Sequence, residues 1–277
     1  MHGCCYSEEL FNQPVYEDRS FYDLYSSDSP ILIPDEVRIR IAAAFNRLPV
    51  WQDLDNPWPS SFDVTINQGP VESCPSIAWA HKQMITDVNY PVACIGHAPR
   101  RENGKATVRV GHQEANVWFV ETGRDVENFF RWLIIETTDR PSSMEELAAF
   151  AFTELEFVAG AFSGIKDMSK PYRELVKPIV THLAALSDEG RRIFSGSRDR
   201  VAAEFGPFGV DISDENGLTK SNRTARDERT IKVNGEARVF WWHTKIERHQ
   251  DRIHFCPEHI LAGKKILVGI FCNHLTT

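Results

Sequence analysis

The chain has 277 residues, 42% of them hydrophobic and 25% charged, with a formal net charge of −8. That composition supplies a full apolar core and excludes a globally disordered chain, and no apolar run nears the ~18 residues that a bilayer span needs. The N-terminal Met1-His2-Gly3-Cys4-Cys5 lacks the basic and apolar regions of a secretory signal, and the six cysteines are scattered, so the expectation is a cytoplasmic chain with free thiols and no membrane association.

The expected fold is α+β, in two unlike parts. Residues 1–218 form an acidic α+β body that is mainly helical from residue 124, and residues 219–277 form a basic, β-rich module. Residues 1–34 mix aromatic side chains with Ser, Asp and Pro and have no sustained period. Asp35 caps a helix through Val37, Ile39, Ile41, Ala44 and Phe45, whose spacing keeps one face apolar. Prolines 57, 59, 70 and 75 break regularity between Trp51 and Ala80, where Phe62–Ile66 alternates as a short strand does. Further strands are expected at Tyr90–Ile95, Ala106–Val110 and Asn116–Val120.

The helical middle starts after Asp125 with Phe129, Phe130, Leu133 and Ile134. Ser142 or Ser143 with Glu145 or Glu146 reads as a capping box that opens a helix through Leu147, Phe150, Ala151, Leu155 and Val158 to Gly160. Pro171 starts the next helix, in which Pro178 predicts a kink. Ser187 or Asp188 caps a last helix to Phe205. These apolar stripes are assigned to core packing. His81, His112 and His182 are isolated along the chain and read as structural residues.

The module follows the acidic turn Asp211–Gly217. Between Thr219 and Lys265 eleven Lys or Arg stand against six Asp or Glu, a net of +5 that leaves −13 for the rest. This asymmetry marks a surface for RNA or another polyanion, although charge scatter on a solvated face gives the same count. Asn234-Gly235 between two β-rich runs is a hairpin signal. With strands at Arg252–Cys256 and Lys264–Cys272 it predicts a four-stranded antiparallel sheet.

Alternation over Phe240–Glu247 puts Trp241, His243, Lys245 and Glu247 on one face and Phe240, Trp242, Thr244 and Ile246 on the other. In the next strand Arg252 and His254 oppose the core-facing Ile253 and Phe255. If the strands pair, His243, Lys245, Arg252 and His254 share a face as candidate catalytic residues. Arg248, His249, Lys265 and His274 lie nearby as substrate contacts, with Trp241 available to stack a base. Imidazoles move protons and fixed cations stabilise a phosphodiester under attack by its own 2′-hydroxyl, so this set reads as metal-independent RNA cleavage with no cofactor. A half-exposed sheet face also carries His, Lys and Arg simply because it meets water.

The run Trp242-His243-Thr244-Lys245, the following Asp251-Arg252-Ile253-His254-Phe255 and the closing Lys265–Ile270 with Asn273-His274-Leu275 resemble the C-terminal half of RelE-type toxins. The resemblance covers about 50 of the 277 residues. It implies a small sheet that cleaves messenger RNA, with His243 and Lys245 on the basic strand, Arg252 opening the next and His274 near the last strand's polar end. An antitoxin or other protein partner is implied as well. The chain is longer and more acidic than those toxins and carries an added helical body. The alternative function is a non-enzymatic module that binds nucleic acid or protein, with the helical body as docking surface. A different grouping, His254, Cys256, His259, Cys272 and His274 with the distant Cys94 and His97, offers zinc-type ligands, but in no familiar zinc spacing. No phosphate-binding loop or nucleophile elbow occurs.

Overall fold

The computed structural model describes residues 5–6, 8–12, 14–16, 19–26, 29, 31–53, 58–87, 91–95, 103–257 and 264–277. The chain is α+β and divides into two compact units, Met1–Asp125 and Val126–Thr277.

The first unit opens with a short ribbon, β1 (Pro14–Tyr16) against β2 (Arg19–Ser20), then α1 (Phe21–Tyr25) and α2 (Asp35–Phe45). A five-stranded sheet follows, built from β3 (Asp63–Ile66), β4 (Val71–Ser73), β5 (Ala93–Ile95), β6 (Gly104–Val110) and β7 (Gln113–Val120) in the order β4-β3-β6-β7-β5. The strands expected at residues 62–66, 106–110 and 116–120 are all present. The proline-rich stretch also holds a helix that its breakers hid, α3 (Pro75–Thr86), because Pro75 stands at the first helical turn, where its missing N–H costs nothing. Ile77, Ala78 and Ala80 of α3 pack on Val64, Val108, Val117 and Phe119.

α4 (Gly123–Thr137) starts at the end of the first unit and continues into the second, and its N-terminus is closed by the Asp125 carboxylate accepting from the Glu121 and Thr122 amides. α5 (Pro141–Ala151) ends nine residues before the expected Gly160. Leu155, read as part of its stripe, instead lies in β8 (Leu155–Phe157), which pairs in parallel with the last strand. α6 (Tyr172–Phe194) passes through Pro178 and also through Ser187 and Asp188, where a new helix start was expected. Both residues are drawn into tertiary bonds: Ser187 Oγ accepts from the Glu154 amide, and Asp188 binds Arg131 at 2.6 Å. A short α7 (Val201–Phe205) leads into β9 (Asp211–Ser213), α8 (Gly217–Ser221) and α9 (Arg223–Glu228).

The hairpin β10 (Thr230–Val233) and β11 (Glu236–Val239) turns at Asn234 and Gly235, both with positive φ as a type I′ turn requires. It stands as its own two-stranded ribbon rather than as half of a four-stranded sheet. The main sheet runs β8-β14-β13-β12-β9, with β12 (Trp242–Lys245), β13 (Arg252–Cys256) and β14 (Ile266–Cys272). It is mixed, since β14 and β8 are parallel. The boundary expected at residue 218 therefore falls inside the second unit: β8 and β9 lie upstream of it, yet they are edge strands of the same sheet.

The helical cover sits tightly on that sheet. A Cβ added at Gly164 would lie 2.0 Å from the Phe271 carbonyl oxygen of β14, a backbone contact that cannot yield. Gly164→Ala is expected to destabilise the protein by about 1–3 kcal/mol through overpacking, while Gly123→Ala, with open space around it, leaves stability within about 0.5 kcal/mol. Urea unfolding of the two variants checks the contrast.

Candidate functional site

β12 lies between β9 and β13, so it has a hydrogen-bonded neighbour on each side. The register sets His243 directly opposite His254, with ring centroids 5.1 Å apart, and sets Ser213 of β9 against His243 on the other flank. The expected common face thus exists for the two imidazoles. It is not open to solvent: His243 is 6% exposed and His254 1%, and Arg252 is buried as well. The period-two reading assumed one covered face, whereas Trp242, His243 and Thr244 are all buried.

The cover comes from three segments. Glu215, just after β9, brings Oε1 to 3.5 Å from His243 Nδ1. Arg229, at the end of α9, donates to the same oxygen from Nε at 3.1 Å and Nη2 at 2.8 Å, and from Nη1 to the Ala225 and Thr276 carbonyls. The C-terminal residues His274, Leu275 and Thr277 complete the wall. Together they border a half-open cavity of about 200 Å³ lined also by Ser213, Asp214, Asn216, His243, Arg252 and His254.

The tautomer of His254 is set locally. Its Nδ1 lies 3.1 Å from the Phe240 carbonyl, which only accepts, so the proton sits on Nδ1 and the Nε2 lone pair is left free. Ser213 Oγ is 3.1 Å from His243 Nε2. Burial pushes His243 down to about 4 despite Glu215, with Arg252 adding to the depression. It drives His254 well below the ordinary imidazole range, reinforced by His243 and Arg229. Both rings are neutral at neutral pH. The charged groups of the cavity are therefore the Arg229 and Arg252 guanidinium groups and the Glu215 and Asp214 carboxylates.

The other expected site residues divide. Arg252 lines the cavity but spends its donors on the chain, bonding the Glu247, Gln250 and Arg248 carbonyls and so holding the turn from β12 to β13. His274 is exposed at the cavity wall. Lys245 is paired with Asp211 at 3.0 Å. Trp241 has Lys220 and Arg226 within about 6 Å of its ring, so cations stand where a stacked base was expected. Arg248, His249 and Lys265 are exposed and do not line the cavity. Ser213, Glu215 and Arg229 were missed as site residues. The one signal for β9 was Ile212 between two polar neighbours, too short a pattern to separate a strand from a turn.

Of the proposed zinc-type ligands, His97 and His259 lie outside the described residues. Cys272 is pushed up to about 12 by burial, which keeps its sulfur as a neutral thiol. Among the described residues the cluster with ligand atoms close enough to share an ion contains no cysteine: it is Glu215, His243 and His254, with one atom of each within 4.8 Å of the others. No described helix is long and apolar enough to cross a membrane. Compared with known proteins, the chain matches no family model, no curated protein and no solved structure.

Two predictions follow from these buried groups. His182, on α6, is depressed to about 4 by burial. Its folded value lies below its unfolded value of about 6.5, so the unfolded chain takes the proton first as pH falls. Its stabilising contribution is complete above pH 6.5 and is lost progressively down to about pH 4, a change of roughly 3 kcal/mol for this residue. The two sheet imidazoles act in the same direction. Urea unfolding at pH 7.5, 6, 5 and 4 is expected to show that fall, and His182→Gln is expected to flatten it. Separately, Arg229→Met strands the Glu215 carboxylate and is expected to cost about 3–5 kcal/mol, while Arg229→Met with Glu215→Leu recovers most of the loss; a double-mutant cycle by thermal unfolding reads the difference.

Proposed function

We propose that the protein is a metal-independent endoribonuclease, or toxin-like effector, whose site is the cavity beside β12 and β13. The supporting observation is the in-register pair His243 and His254, walled by Ser213, Glu215 and two guanidinium groups. Cleavage of RNA through its own 2′-hydroxyl needs a base, positive charge for the phosphoryl oxygens and a proton for the leaving oxygen. His243, neutral and with Glu215 near Nδ1, has the form of an oriented base. It takes the O2′ proton at Nε2 as O2′ bonds to phosphorus. The bond from phosphorus to O5′ then breaks, and the 5′-oxygen takes a proton from His274 or water. The products are a 2′,3′-cyclic phosphate and a 5′-hydroxyl end. Glu215 stabilises the imidazolium formed, and Arg252 supplies fixed charge at the same wall. Of the four residues that carry the RelE-type resemblance, His243, Arg252 and His274 belong to this set, whereas Lys245 is paired with Asp211 outside it.

The second reading, a binding module without turnover, draws support from the sealed Nε2 of His254 and from the exposed Arg248, His249, Lys264 and Lys265 outside the cavity. The two readings separate in one assay with labelled RNA in EDTA. Cleavage by the wild type is expected to fall about 10²–10⁴-fold in His243→Gln, and full cleavage by His243→Gln combined with His254→Gln would defeat the nuclease proposal. Binding that weakens steeply with salt and yields no product supports the module instead.

A further inference from the structure

We propose that Glu215, His243 and His254 also form a binding site for one divalent transition ion of the zinc class, and that the ion switches off the cleavage described above. The second half rests on the nuclease reading; the first half does not.

The geometry comes first. In a tetrahedral zinc site with ligand atoms 2.0–2.1 Å from the ion, neighbouring ligand atoms stand about 3.3 Å apart. His243 Nδ1 and Glu215 Oε1 are 3.5 Å apart, and the full set of three lies within 4.8 Å. His243 Nδ1 and His254 Nε2 are both sealed from solvent and have no hydrogen-bond partner. Two buried nitrogens without partners are costly unless something occupies the space between them.

The outer shell is already built. A metal-bound imidazole usually gives its other ring N–H to a carbonyl, carboxylate or other acceptor, which fixes ring and tautomer. His254 Nδ1 does so toward the Phe240 carbonyl at 3.1 Å, and His243 Nε2 has Ser213 Oγ at 3.1 Å. The Glu215 oxygen that faces His243 already accepts from Arg229 Nε and Nη2, so the ion shares that oxygen with the guanidinium or displaces it. Two of the three ligands stand on paired interior strands, which are among the most rigid supports a fold offers. Two imidazoles and one carboxylate suit zinc or cobalt better than the oxygen-seeking magnesium or calcium.

Charge decides the open position. The Glu215 and Asp214 carboxylates are already matched by the Arg229 and Arg252 guanidinium groups, so an ion of charge +2 leaves a cationic excess, and a fourth ligand is expected to be anionic, such as hydroxide or a phosphate oxygen. With the ion on Nδ1, His243 carries its proton on Nε2. It then presents a donor to Ser213 and accepts no proton from O2′.

Full-length protein stripped with EDTA and dialysed is titrated with zinc chloride by calorimetry, and with Co²⁺ by visible absorption. One equivalent of zinc, a Co²⁺ spectrum of four-coordinate nitrogen and oxygen ligation, and no heat from Mg²⁺ are expected. Glu215→Gln and His254→Gln, each with a wild-type circular dichroism spectrum, are expected to weaken zinc at least ~10-fold. A rise in the Tm of the wild type with zinc, and none with Mg²⁺, reads the same site without a variant should the substituted chains unfold. No stoichiometric binding by the wild type, or undiminished affinity in both variants, overturns the site. Cleavage of labelled RNA during the zinc titration tests the switch: loss at one equivalent with recovery in EDTA supports it, and unchanged cleavage overturns it. Cleavage stimulated by zinc overturns both the switch and the metal-independent nuclease while leaving the site standing. Zinc binding with no cleavage under any condition rejects the nuclease reading alone.

Discussion

Arg229 carries a full charge with 1% of its surface exposed. A guanidinium tolerates such a position only when its donors are taken, because an unpaired buried charge costs several kcal/mol. Four of its five N–H groups are engaged, by Glu215 and by the Ala225 and Thr276 carbonyls. Those partners belong to three separate stretches of chain: the loop after β9, the helix α9 and the C-terminus. One side chain thereby fixes the lid over the polar face of β12 and β13.

Everything distinctive about the cavity follows from that lid. Covering the face removes water from His243 and His254, and desolvation outweighs the attraction of Glu215 at His243 and the Phe240 hydrogen bond at His254. The same cover lowers the effective dielectric around Arg229 and Glu215, so their pairing is stronger than it would be on an open sheet. The open-face arrangement would have given weak, water-screened cations and ordinary imidazoles. The covered one gives neutral rings beside two guanidinium groups that are matched by the Glu215 and Asp214 carboxylates.

Local chemistry was legible in the sequence and tertiary cover was not. Alternation along Trp242–Lys245 and Arg252–Cys256 correctly placed His243 and His254 on a shared face, because the pleat has a period of two whatever packs on it. Asn234-Gly235 likewise announced its hairpin, since two consecutive positive φ values favour those residues. That the hairpin stands apart from the main sheet depends on pairing with distant β8 and β9, for which three-residue strands leave almost no pattern. Leu155 continued a helical stripe by spacing alone, and the parallel partner Ile266, more than a hundred residues on, overrode that preference. Glu215 and Arg229 looked like ordinary surface charges because nothing in their neighbourhoods marks them as buried. The pairing that buries them is a property of the folded state.

The placement of the sheet within its unit bears on the proposed resemblance to RelE-type toxins. The motif residues span β12 to β14, yet those strands do not close a sheet by themselves: β14 takes β8 as its outer neighbour and β12 takes β9. Both added strands come from the helical body, and each brings something the motif strands lack. β8 covers the edge of β14, which as an unpaired hydrophobic edge would invite association. β9 brings Ser213 to His243 and delivers Glu215 to the cavity two residues later. The helical body is therefore part of the site and not an appendage to it, because without its strands the imidazole pair would have neither its hydroxyl nor its carboxylate neighbour.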